Sequence, residues 1–89
     1  MPQEADVCSG GTVSKNDSSF TFVNHHTQQC DVTFIKTPPG ADSSYTVPAK
    51  SGSTPGTTVV NYTAGITDDY PYNKPAFCPE MTNPAIKIQ

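Results

Sequence analysis

The chain has 89 residues, a formal charge of −3, 34% hydrophobic residues and only 15% charged ones; that length supports one core and leaves no room for a second. Thr, Ser, Pro, Gly and Asn together fill 40 of the 89 positions, and Leu, Arg and Trp are absent, which excludes a helical bundle or coiled coil for want of strong helix formers. No apolar run approaches the ~20 residues of a membrane-spanning helix, and negative charge without Arg argues against a phosphate-neutralising nucleic-acid surface.

A small-polar composition is also that of disordered chains. Here, however, the aromatic and β-branched residues gather in short runs separated by turn residues, which predicts a folded all-β domain. Residues 1–10 are polar and end in Ser9-Gly10-Gly11, so they read as a flexible lead-in or a short edge strand. Met-Pro-Gln-Glu-Ala-Asp has neither the basic start nor the apolar stretch of a secretory leader. The surface-like Ser/Thr content leans toward an extracytoplasmic or secreted protein whose leader is not part of the sequence.

Ser19-Phe20-Thr21-Phe22-Val23 puts Phe20 and Phe22 on one face. Cys30-Asp31-Val32-Thr33-Phe34-Ile35 does the same with Cys30, Val32 and Phe34. The polar connection from Asn24 to Gln29 suits a longer hairpin, and Pro38-Pro39-Gly40 ends the pair. Ser44-Tyr45-Thr46-Val47 is a short strand stopped by Pro48. After the turn cluster of residues 50–56, Thr57–Thr63 is the run of highest β-propensity. Tyr70-Pro71-Tyr72 carries a proline and is expected at an edge or a strand start. Ala85–Gln89 closes the chain with Ile86 and Ile88 on one face, and such a terminal strand must pair within a sheet to be ordered. The expected core is Phe20, Phe22, Val32, Phe34, Val60, Ile86 and Ile88.

Three cysteines, Cys8, Cys30 and Cys78, permit three single pairings with one thiol left over. Cys30 to Cys78 is the pairing expected. It spans 48 positions, and its closure would remove unfolded-chain entropy worth roughly 4 kcal/mol. A buried apolar thiol at Cys30 is the competing reading.

Cys78 and Met81 near the end, with His25 and His26 in an early loop, form a soft-metal donor set of the copper type. A bridged Cys78 could not also serve as a thiolate ligand, so disulfide and metal exclude each other. A solvated loop pair is the plainer reading of the histidines. Tyr70 and Tyr72, with Phe77 nearby, could make a contact patch for a protein or glycan partner; buried edge-strand positions are the alternative. Asp68-Asp69 lacks the oxygen count and spacing of a calcium site. Asn16-Asp17-Ser18 and Asn61-Tyr62-Thr63 fit the glycosylation triplet, which arises readily by chance in a Thr-rich chain. No phosphate loop, zinc helix or nucleophile elbow occurs, so no enzyme is expected.

The stretch from Tyr70 to Ile88 resembles the end of a cupredoxin. In that family an aromatic strand leads to a Cys, a short loop carries a His and a Met, and a closing strand alternates apolar residues. Cys78, Met81, Ile86 and Ile88 match that pattern, and Tyr45–Ala49 with its following Ser/Gly turn resembles the sheet-switching middle. Between Cys78 and Met81, however, stand only Pro79 and Glu80. The His is missing, and a blue-copper centre needs two imidazoles and one thiolate.

The sequence therefore predicts one domain over residues 1–89, a small Greek-key β-sandwich of six to eight strands, cupredoxin-like or immunoglobulin-like. Its expected role is that of a non-enzymatic binding or structural module without cofactor. The alternative is a copper-binding protein using Cys78, Met81 and a His.

Overall fold

Alternation along each run decides which side chains turn inward, and the computed structural model, which describes residues 3–79 and 82–89, follows it closely. Eight strands succeed one another: β1 (Glu4–Asp6), β2 (Gly11–Val13), β3 (Ser19–Asn24), β4 (Cys30–Phe34), β5 (Ser44–Val47), β6 (Gly56–Asn61), β7 (Asp68–Asn73) and β8 (Ala85–Ile88). Helix is absent among the described residues. The strands form a three-stranded sheet in the order β1-β3-β6 and a five-stranded sheet in the order β2-β8-β7-β4-β5. The all-β sandwich read from the sequence is the architecture observed.

All seven expected core residues are buried, none more than 6% exposed. Adjacent valines in β6 show the pleat at work: Val60 is fully buried and Val59 is 58% exposed, because neighbouring residues point to opposite faces. Aromatic rings fill the space between the sheets. Phe22 lies 5.0 Å from Phe20 and 5.3 Å from Tyr72, centroid to centroid, both edge-to-face. This is the geometry that ring quadrupoles favour. One flank of the sandwich is fastened where the two sheets' edge strands approach, by the Thr58 hydroxyl donating to the Thr46 carbonyl at 2.7 Å.

Two expectations need correction. Of the two readings of residues 1–10, the flexible lead-in is set aside and the short edge strand holds: β1 lies at the edge of its sheet, and β2, just after it, at the edge of the other. β1 pairs in parallel with β3, setting Ala5 opposite Phe22, and β2 pairs in parallel with β8. Ala5, Val7 and Val13 are buried, and burying these side chains on folding is what holds the segment. The chain thus passes from one sheet to the other through the turn that carries Cys8.

The second correction concerns β7. It lies inside the larger sheet, between β8 and β4, despite Pro71. The Pro71 carbonyl accepts from the Ile35 and Lys36 amides at 2.9 and 3.3 Å, while the amide it lacks faces the point where the β4 ladder ends, at the Phe34–Tyr72 pair. A proline is tolerated in an interior strand there because this last rung uses only its carbonyl and β4 pairs no further. Tyr70 and Tyr72 consequently point into the core, at 3% and 0% exposure, and do not form a contact patch. The Tyr72 hydroxyl reaches the Asp6 and Val7 carbonyls at 3.1 and 3.0 Å, which ties β7 to the β1–β2 turn.

Candidate functional site

The chemistry-bearing residues meet at the end of the sandwich where β3 turns into β4, β1 into β2, and β7 into β8. Asn24, the last residue of β3, organises the first of these turns from a fully buried position. Its Nδ2 donates to the Gln28 carbonyl at 2.8 Å and to the Pro48 carbonyl at 3.1 Å. Its Oδ1 accepts the His26 amide at 2.9 Å. Buried amides are satisfied in this way or not tolerated. Opposite Asn24 in the ladder stands Gly56, where a Cβ would fall 1.8 Å from the Pro48 oxygen. Only glycine lets that carbonyl come near enough for Asn24 to hold it. The Lys50 amide then donates to the His26 carbonyl at 2.8 Å, so His26 is fixed on both sides.

We expect Asn24→Ala to cost about 1–3 kcal/mol, because it leaves two part-buried carbonyls and an amide without their partner at once. Chemical denaturation measures it. A loss under about 1 kcal/mol would mean that water replaces the amide freely.

The second turn is set by Gly10, whose φ of 72° is left-handed and whose missing Cβ would meet the Ala85 carbonyl at 2.3 Å. The Gly10 amide donates to the Asp6 carbonyl, and the Cys8 amide to Asp6 Oδ1, each at 2.8 Å. These bonds aim Cys8 at the loop after β7. There it forms a disulfide with Cys78, with Cα atoms 5.3 Å apart, a separation a bridge spans without moving the backbone.

The expected Cys30–Cys78 pairing is therefore corrected to Cys8–Cys78. Cys30 does face inward, as alternation requires, but it is a free buried thiol opposite Val47 at the start of β4. Tyr72 and Gly10 bring residue 8, not residue 30, against Cys78. Cys8–Cys78 is one of the three pairings the sequence permits, and the local signal that Cys8 faces inward is only Ala5-Asp6-Val7, a period-two pattern three residues long.

Of the soft-metal set, the structure brings Cys78 and His26 to the same corner, through Cys8. His26 Nε2 lies 3.6 Å from Cys8 Sγ. The His26 ring stacks on half-buried Phe77 with centroids 4.3 Å apart. His25 turns away to an exposed position with Nε2 3.8 Å from Asp6 Oδ2. Met81 lies outside the described residues. No group of three or more His, Cys, Asp and Glu side chains among the described residues is arranged to hold a metal ion, and both sulfurs at this corner are committed to each other.

Elsewhere, Lys36 and Asp68 form an exposed ion pair. The Lys36 hydrogen bond, helped by the Asp69 amide, holds the Asp68 carboxyl below its ordinary range, and the same bond raises Lys36. Both are solvent-facing, and such pairs add little to stability. The glycosylation-type residues Asn16 and Asn61 are exposed.

Burial, assisted by the charge of Asp31, pushes the Cys30 thiol from 9.0 up to about 11. The folded chain therefore keeps a proton that the unfolded chain gives up. Stability from this group is whole below about pH 9 and is lost as pH rises toward about 11. We expect Cys30 to resist thiol reagents in the native protein at pH 8. We also expect the alkaline loss of stability to be smaller in Cys30→Ala. Rapid native labelling at pH 8 would refute a buried neutral thiol.

The chain matches no protein-family model, no curated protein and no solved structure. No helix among the described residues is long and apolar enough to cross a membrane.

Proposed function

We propose that this protein is a non-enzymatic β-sandwich module, cupredoxin-like in framework and without a complete copper site, that acts by binding a partner or as a structural unit. The observation that carries this reading is the closing segment. The aromatic strand β7, Cys78 and the apolar strand β8 follow in the order of the resemblance, yet the Cys78 sulfur is joined to Cys8. A sulfur held in a disulfide is not a thiolate ligand, so the copper alternative loses its central donor while the bridge is closed.

The strand allocation favours the cupredoxin-like description over the immunoglobulin-like one. An immunoglobulin sandwich keeps its first two strands in one sheet, whereas β1 and β2 lie in different sheets here. The disulfide also accords with an oxidising, extracytoplasmic setting. With Tyr70 and Tyr72 turned inward, a protein or glycan partner would meet the molecule at the turn end, over Phe77 and His26.

Titrating the oxidised protein with Cu(II) and recording the visible spectrum tests the reading. We expect no thiolate-to-copper charge-transfer band. An intense visible band at one equivalent of copper would replace the module by a copper protein.

A further inference from the structure

The corner of Cys8, Cys78 and His26 gathers two sulfurs and an imidazole. We propose that opening the Cys8–Cys78 disulfide creates a zinc site in which both thiolates and the His26 Nε2 are the protein ligands. This stands apart from the module reading, which concerns the oxidised chain.

Three observations converge on it. First, one donor pair, His26 and Cys8, is already at coordination spacing. A tetrahedral zinc with bonds of ~2.3 Å to sulfur and ~2.0–2.1 Å to imidazole nitrogen separates S from N by about 3.6 Å. His26 Nε2 stands 3.6 Å from Cys8 Sγ. Second, the imidazole is held in place before any metal arrives. The His26 amide and carbonyl are both hydrogen-bonded, to Asn24 and Lys50, and its ring is stacked on Phe77. Third, the two sulfurs come from loops fixed by different strands, with Cα atoms 5.3 Å apart. The same tetrahedron needs its sulfurs about 3.8 Å apart, which side-chain rotation about the two Cα–Cβ bonds supplies. Asp6, whose Oδ1 accepts the Cys8 amide, adds negative charge beside the site. Three protein ligands leave the fourth position to water, the pattern of an open zinc site.

The chemistry balances with a dithiol as reductant. The dithiol transfers two electrons and two protons to the S–S bond, leaving the Cys8 and Cys78 thiols and the reductant's own disulfide. Zinc then binds the two sulfurs and His26 while both thiol protons pass to solvent. The bridge fastens the turns of Cys8 and Cys78, and the metal would fasten the same two together with the turn of His26.

The test uses the full chain carrying Cys30→Ala, so that only the two site thiols remain. One half is kept oxidised; the other is reduced with dithiothreitol and freed of it under argon. Each is titrated with Co(II) as a coloured substitute for zinc, and melting is followed with and without one equivalent of Zn(II). We expect the reduced protein to bind one Co(II) with a thiolate charge-transfer band, and Zn(II) to restore the melting temperature lost on reduction. The oxidised protein should show neither effect. His26→Gln should weaken binding at least ~10-fold, whereas His25→Gln should leave it within about twofold. If the reduced chain is unfolded, one equivalent of Zn(II) must return its near-ultraviolet circular dichroism. Reduced protein that neither binds Co(II) nor gains order from Zn(II) would overturn the proposal, as would binding indifferent to His26 or equal in the oxidised chain.

Discussion

Replacing both Cys8 and Cys78 by Ala is expected to remove about 4 kcal/mol of stability. The bridge joins positions 70 apart, so it closes most of the chain into one loop, and the entropy withheld from the unfolded state grows with loop length. A domain of this size has a total stability of the order of 5–10 kcal/mol, and the variant would therefore keep roughly a fifth to three fifths of it. Urea denaturation should show a lower midpoint together with a steeper dependence on denaturant, because the unlinked unfolded chain exposes more surface. A variant within ~1 kcal/mol of the parent would mean that β1, β2 and the β7–β8 loop are held by packing alone. The same measurement bears on His26, whose position beside Cys8 depends on that turn staying in place.

Phe22→Ala should cost about 3–5 kcal/mol. Phe22 is fully buried and touches rings from both sheets, Phe20 beside it and Phe34 and Tyr72 across the interface. Truncation opens a cavity at the point where the two sheets meet, and the surrounding rings are too large and too constrained to collapse into it. Val59→Ala, an apolar change of the same direction on the 58% exposed outer face, should change stability by less than about 0.5 kcal/mol. Equal losses for the two variants would contradict the inward face assigned to β3.

The contrast between Pro71 and Gly56 shows how local chemistry and tertiary context divide the work. Proline in Tyr70-Pro71-Tyr72 reads locally as an edge signal. Only the position where β4 stops pairing makes an interior strand acceptable there. Gly56 reads locally as one more turn residue. Its actual constraint is the Pro48 carbonyl, which a Cβ would overlap. Neither constraint involves residues close in sequence.

The class of fold and the inner face of the central strands are legible in the order of residues alone. Phe20/Phe22, Val32/Phe34 and Ile86/Ile88 alternate with polar neighbours, and a period of two has one physical meaning in a water-soluble sheet: one face buried, one wet. The tertiary structure decided the rest. β1 and β2 are three residues each, too short for any periodicity, and exist because β3 and β8 present open ladders for parallel pairing. The cysteine partner was decided likewise. Alternation placed Cys30 inward correctly, but inward is a direction and not an address. Which two sulfurs meet depends on how three turns stack at one end of the sandwich. That stacking rests on Tyr72 reaching the Asp6 and Val7 carbonyls, Gly10 passing under Ala85 and Asn24 bonding to Pro48. Each of these contacts joins residues far apart along the chain, and such pairings leave no local pattern from which they could be read.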